Sequence, residues 1–303
     1  MNLFDTDLPL QEAVRREHGD WGADRLRALG LIAGSTQACE HSDRAERNSP
    51  RLRPDGTVEC DPSWHWMLET AVAHEVPTLP WRDPRPGAHV VRVALGYLWG
   101  QVNTGVMCPM IMTFAAIPVL RRFGGERWLP ALLNGDALAG QAYTEQQGGS
   151  DLRATRTVAK PLGDGTYELH GRKWFCSAPM CDVFLTLAQT DAGLSCFLVE
   201  RAEGFEIVRL KDKLGTRALP TAEVEFRGVR GWPIGEGAAA SPRSCTTSAT
   251  PGSARQPPRR CAPPWWRPSS TPGSARPSAP GWRISRRWPT CWPIWPWMPR
   301  RPP

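Results

Sequence analysis

The spacing of apolar residues changes once along this chain. Up to about Leu138 they recur three and four positions apart, over residues 11–29, 64–76, 88–101 and 110–123, with Pro and Gly between the segments. That spacing predicts helices with one buried face. Residues 39–61 are charged, contain Pro and show little periodicity, so a long surface loop is expected there. From Ala139 the period shortens. QAYT, TYELHGRKWF, DVFLTLAQT, LSCFLVE and AEVEFRGV are short runs rich in β-branched and aromatic residues, separated by turn signals such as GDG (residues 163–165) and DAG (residues 191–193). The expected architecture is α+β, an all-α domain over residues 1–138 followed by an antiparallel β domain over residues 139–236. Glu223 and Glu225 alternate with Val224 and Phe226, as on the solvated face of a strand.

Composition breaks the chain a second time, at Gly237. The last 67 residues hold eleven Arg, sixteen Pro and seven Trp, and no Lys, Asp, Glu, Leu, Val, Phe or Tyr. Such a segment has too little aliphatic surface to offset the entropy of ordering, and a disordered tail is expected. The first 236 residues carry 26 basic and 30 acidic side chains, so the net charge of +7 comes from the tail. Trp, Pro and Arg together are also what a GC-rich gene yields out of frame. Regrouping the codons of WPTCWPIWPWMP (residues 288–299) by one base allows an amphipathic helical pattern. A reading frame shifted near residues 237–241 is the expectation, with a genuine disordered tail as the alternative.

The nine Cys are scattered without a CxxC pair, and the six His show no metal spacing. The acidic N-terminal segment lacks the pattern of an export signal. The longest apolar stretch, residues 105–120, is shorter than the roughly 18 residues a membrane span needs and reads as a buried helix. A cytoplasmic protein with reduced thiols and no membrane association is expected.

Two segments could carry chemistry. YTEQQGGSD (residues 143–151) joins a strand-like run to a glycine pair and offers the hydroxyls of Thr144 and Ser150, with several backbone N–H groups. Glycines permit close approach to a flat ligand, and hydroxyls can donate to its heteroatoms. By itself this is also the pattern of a turn and a helix cap. GRKWFCSAP (residues 171–179) places Trp174, Phe175, Cys176 and Ser177 in one run. A Trp on a strand is more often core than ligand wall, but two such segments some 25 residues apart on adjacent strands favour a site. GEGAAA (residues 235–240) matches a loose GxGxxA pattern, yet Pro and Arg follow where a dinucleotide-binding helix should run.

The pair TEQQGGSD and GRKWFCSAP, with the strands that follow, resembles the middle domain of the acyl-CoA dehydrogenase family. WHWMLETA, CPMIMTFAAIPVL and RLKDKLG resemble its AidB-type branch, associated with the response to DNA alkylation. The resemblance covers most of residues 10–237. It implies a barrel-like β domain, FAD as cofactor and an acyl-CoA-like ligand. By the family's pattern Ala142, Tyr143, Thr144 and Glu145 border the flavin's pyrimidine edge, Ser150 belongs to the cofactor-binding set and with Thr144 lies near the substrate, and Trp174, Phe175, Cys176 and Ser177 cover the dimethylbenzene and N5 side. Glu145, inside the turn, is expected to be structural. At the position after the Trp-x pair, where the family carries Thr or Ser, this chain has Cys176, a weaker donor. The family's C-terminal helical bundle bears its catalytic base and most of its oligomer interface. No counterpart is legible in this chain, so no catalytic residue is assigned and an impaired enzyme is expected. The alternatives are non-specific DNA binding, with the Arg/Trp tail neutralising phosphates and stacking on bases, and a non-functional translation product. Relatives in this family are homo-oligomers.

Overall fold

The computed structural model describes residues 1–235. The calls that fell on residues 237–303, among them the shifted frame, the disordered tail, the missing bundle and DNA binding, lie outside the described residues.

The helical part runs α1 (Leu8–Arg16), α2 (Ala23–Ala33), α3 (Thr36–Arg47), α4 (Pro62–Ala73), α5 (Leu79–Arg82), α6 (Ala88–Gly100), α7 (Met107–Phe123) and α8 (Leu129–Asn134), with a small hairpin, β1 (Arg51–Leu52) and β2 (Val58–Glu59), between α3 and α4. Asp7 caps α1 by accepting from the Leu10 amide, Ser35 caps α3 through Ala38, and Asp61 caps α4 through Ser63. The single helix expected over residues 11–29 is broken. His18 takes a left-handed φ of 62°, and a Cβ on Gly22 would stand 2.6 Å from Cγ1 of Val91, so the chain turns tightly against α6 instead of continuing. The loop expected over residues 39–61 is also corrected, because α3 occupies its first part. This helix buries only Ala38 and Ala45, and two alanines leave no visible apolar stripe; Asn103 holds it from the side, donating to Ser42 and Glu46.

The β part comprises β3 (Ala139–Ala142), β4 (Val158–Pro161), β5 (Tyr167–Ser177), β6 (Val183–Thr190), β7 (Gly193–Glu200), β8 (Phe205–Leu210) and β9 (Thr221–Pro233). The sheet is mixed, not wholly antiparallel: β3 and β4 both run parallel to β6. Strands β6, β4, β5, β9 and β7 pair in turn, and β7 pairs back to β6, which closes a ring. The ring closes through one β4–β6 register pair, Val158 with Gln189, and β8 lies along the N-terminal half of β9.

Burial explains the sequence of β6. Its residues 183–188 are buried on both faces. Val183, Leu185 and Leu187 share an apolar cluster with Ile117, Leu120 and Leu132 of the helices. Phe184 points the other way and stacks on Phe205 at 4.9 Å, which in turn meets Phe226 at 5.6 Å. A Cβ at Gly140 would lie 2.2 Å from the Phe184 ring, so the neighbouring strand β3 needs glycine there. Trp64, Met67, Leu95, Leu98, Trp99 and Met110 continue this core into the helices. Helix α7, which contains most of the apolar stretch, buries the greater part of its residues. Among the described residues no helix is long and apolar enough to cross a membrane.

Candidate functional site

Strand β3 delivers the YTEQQGGSD turn. The hydroxyl of Thr186 donates to the Ala142 carbonyl at 2.6 Å, and beyond it the backbones of Glu145 and Gly148 exchange hydrogen bonds at 3.1 and 3.0 Å. The turn is joined to the Trp-containing strand by the amide of Trp174, which donates to the Thr144 carbonyl at 2.8 Å. Gly149 packs against Thr144 so closely that a Cβ there would stand 2.6 Å from Oγ1.

Beneath the turn lies an ion pair. Lys173 and Glu145, 0% and 3% exposed, meet at 2.9 Å. The ammonium also donates to the Leu187 carbonyl at 2.8 Å. The carboxylate accepts from the Thr157 hydroxyl and amide, the Arg156 amide and the Gln147 side chain. Burial by itself would raise the Glu145 pKa; Lys173 and these donors outweigh it and lower the pKa to about 2. Glu145 is therefore a fixed anion that sets the turn in place, with no free lone pair for proton abstraction.

Strand β5 carries a bulge at the site. Lys173 pairs with Val224 and Cys176 with Ala222, so Trp174 and Phe175 together face the single residue Glu223. The bulge resets the in-and-out alternation. Leu169 and Lys173 point inward before it and Cys176 after it, whereas Phe175 is half-exposed and Ser177 half-buried. The Cys176 side chain thus lies in the core, where burial pushes its thiol pKa up, and it does not reach the face of the site as a donor. The hydroxyl next along the strand, Ser177, does not share that burial. It sits 3.5 Å from the Thr221 hydroxyl. Trp174 and Phe175 stand edge to face at 6.3 Å, and the Lys211 ammonium lies 3.3 Å from the centroid of the Trp174 ring.

Glu223 departs from its expected place on a solvated face. It is fully buried, because β9 is flanked by β5 on one edge and β8 on the other and its residues 221–224 are covered on both faces. Arg172 donates to it at 2.6 Å, Arg209 at 2.8 Å and Lys211 at 2.5 Å. Its burial is again outweighed by these donors, and the pKa falls to about 2.

One further residue escaped the sequence reading. Gln141, on β3 and three positions before Thr144, has its side-chain Nε2 buried without a hydrogen-bond partner among the described residues. A buried amide left unpaired is costly and points to a missing acceptor. The only signal in the sequence is an amide set among the small residues of AGQA. Of the residues expected to form the site, Ala142, Tyr143, Thr144 and Glu145 lie along the strand end and turn that Trp174 and Lys173 hold from β5. Ser150 is exposed at the far end of the turn.

The fold agrees with comparison to known proteins. The family model described as the adaptive response protein AidB N-terminal domain matches residues 1–136, and that of the acyl-CoA dehydrogenase middle domain matches residues 140–229. AidB of Escherichia coli is 38% identical over 264 residues, covering 77% of this chain and 49% of that protein. The crystal structure of Caenorhabditis elegans ACDH-11 in complex with C11-CoA superposes with a TM-score of 0.73 at 28% identity, over 82% of this chain and 49% of that one. The apo form of Bd2924 gives 0.74 at 30% identity, over 82% and 56%. The chain spans about half the length of these relatives.

Proposed function

Because the chain belongs to the acyl-CoA dehydrogenase family, in its AidB-type branch, we propose that residues 1–235 form the helical and β portions of an FAD-dependent oxidoreductase acting on an acyl-CoA-like thioester. One observation carries this reading. The two segments that the resemblance assigns to the flavin belong to different strands yet are fastened to each other, by the Trp174 amide on the Thr144 carbonyl and by the Lys173–Glu145 pair beneath. The unpaired amide of Gln141 beside them is a donor of the kind that the carbonyls and ring nitrogens of a flavin's pyrimidine edge accept.

FAD, when bound, supplies the hydride acceptor of such a reaction. The chain's own residues would hold and shield it. Gln141 and the Thr144 hydroxyl orient the pyrimidine edge. Trp174 and Phe175 exclude water from the ring, and the Ser177 hydroxyl provides the hydrogen bond that the buried Cys176 side chain does not. Ser150, exposed at the mouth of the turn, would meet the thioester or its pantetheine. Abstraction of the α-proton needs a base within hydrogen-bond reach, and no described residue is assigned that role, since Glu145 and Glu223 are both held as paired anions.

Titration of the purified chain with FAD tests the reading. Binding is expected to quench tryptophan fluorescence and to shift the flavin's visible bands, and Gln141→Leu is expected to weaken it about tenfold, the worth of one buried hydrogen bond. A colourless protein whose spectra ignore added FAD would refute it.

A further inference from the structure

Lysine is scarce in this chain. The 37 basic residues include four Lys: Lys160, Lys173, Lys211 and Lys213. Two of the four, with Arg217, line a groove of about 220 Å³ between Ser49–Pro50 and the connection from β8 to β9. Lys213 donates to the Leu219 carbonyl at 2.7 Å and to the Thr221 hydroxyl at 3.0 Å. Both acceptors are neutral, and among the described residues no carboxylate pairs with it. Arg217 is held by its amide on Glu46 at 2.7 Å and by its Nε on the Ser49 hydroxyl at 3.2 Å. Its two terminal nitrogens are without a partner among the described residues. Lys211, on the same wall, shares one carboxylate with Arg172 and Arg209. The charged residues that line the groove are Lys211, Lys213 and Arg217 against Asp212, an excess of two positive charges around one concave surface.

We propose that this groove binds a phosphoryl anion, with a diphosphate as the ligand class, between the Lys213 ammonium and the Arg217 guanidinium. A fixed fork opposite a point charge suits the several oxygens of a phosphoryl group. A single carboxylate would leave half of the excess charge unmatched. The Ser49 hydroxyl lies at the same rim and can donate as well. Asp212 lines the groove too and opposes an anion, which makes it a useful control. The inference does not depend on the flavin reading and is tested without FAD.

The full chain labelled with [15N]lysine gives four backbone amide signals, each assignable by Lys→Arg substitution. Inorganic pyrophosphate is expected to move the signals of Lys211 and Lys213 saturably while that of Lys160, on β4, stays in place. Following Lys211, Arg217→Gln and Lys213→Met are each expected to weaken binding about tenfold, and Asp212→Asn to strengthen it, with all affinities falling as salt is added. Preserved signals of Lys160 and Lys173 show that the variants are folded. ADP distinguishes the sources: equal affinity assigns recognition to the diphosphate alone, and tighter binding of ADP assigns it to a nucleotide. No saturable shift up to about 10 mM, parallel movement of Lys160, or unchanged binding in both Arg217→Gln and Lys213→Met would overturn the proposal.

Discussion

Two buried glutamates hold the two sides of the candidate site, and they are built differently. Glu145 is matched by one cation, Lys173, itself sealed from solvent, with every other donor coming from the loop and strand around it. Glu223 is matched by three cations, and two of them, Arg172 and Arg209, keep their heads about half exposed. A sealed pair has no substitute for a lost partner, while a shared carboxylate loses one donor and keeps two. The turn is therefore locked in one place, and the strand edge tolerates change.

The sharpest way to break this contrast is Lys173→Met. Leaving Glu145 buried and uncompensated is expected to cost about 3–5 kcal/mol in urea unfolding, and Glu145→Gln added to it should restore much of the loss, since removing both members of a buried pair is often near neutral. A smaller effect is expected from acid. The folded pKa of Glu145 is about 2, below its ordinary value of 4.5, so its contribution is fully present above pH 4.5 and is lost as pH falls towards 2. The shift corresponds to about 3 kcal/mol, and Glu145→Gln should flatten the acid limb of the stability curve. Lys211→Met removes one of three donors and the nearer of two cations over Trp174. A loss of about 1 kcal/mol is expected, with a change in tryptophan emission. The smallest effect belongs to Arg209→Ala, under about 1 kcal/mol and shrinking further in salt. Equal losses from Lys173→Met and Arg209→Ala would dissolve the comparison.

The same contrast marks what the sequence could show. Helices with wide apolar stripes, such as α6 and α7, and strands with aromatic and β-branched runs were legible because periodicity records burial. α3 was not, since two buried alanines leave no stripe. The parallel pairing of β3 with β6 joins segments some forty residues apart, beyond any local pattern. At the site, TEQQGGSD and GRKWFCSAP were visible as motifs, but the facing of their side chains was not. Simple alternation fails at Trp174–Phe175, where the bulge turns Cys176 inward and leaves Ser177 nearer the surface. Glu223 followed a solvated rhythm in sequence and is buried beneath Arg172, Arg209 and Lys211, cations that lie far from it in sequence or beyond any local pattern. Gln141 carried no pattern at all.

The single Val158–Gln189 register pair gives the ring a seam. Gln189 stitches it twice, its amide donating to the Thr157 carbonyl at 2.7 Å and its side chain to the carbonyls of Arg153 and Thr155 at 3.2 and 3.0 Å. Thr157 and its neighbour Arg156 are also among the donors that grip Glu145. Opening at this seam would slacken the turn without disturbing the helical layer, so in native-state hydrogen exchange the amides of Gln189 and Thr157 should lose protection together, ahead of those in α6 and α7. The cradle's rigidity is thereby leased from one glutamine on the far strand.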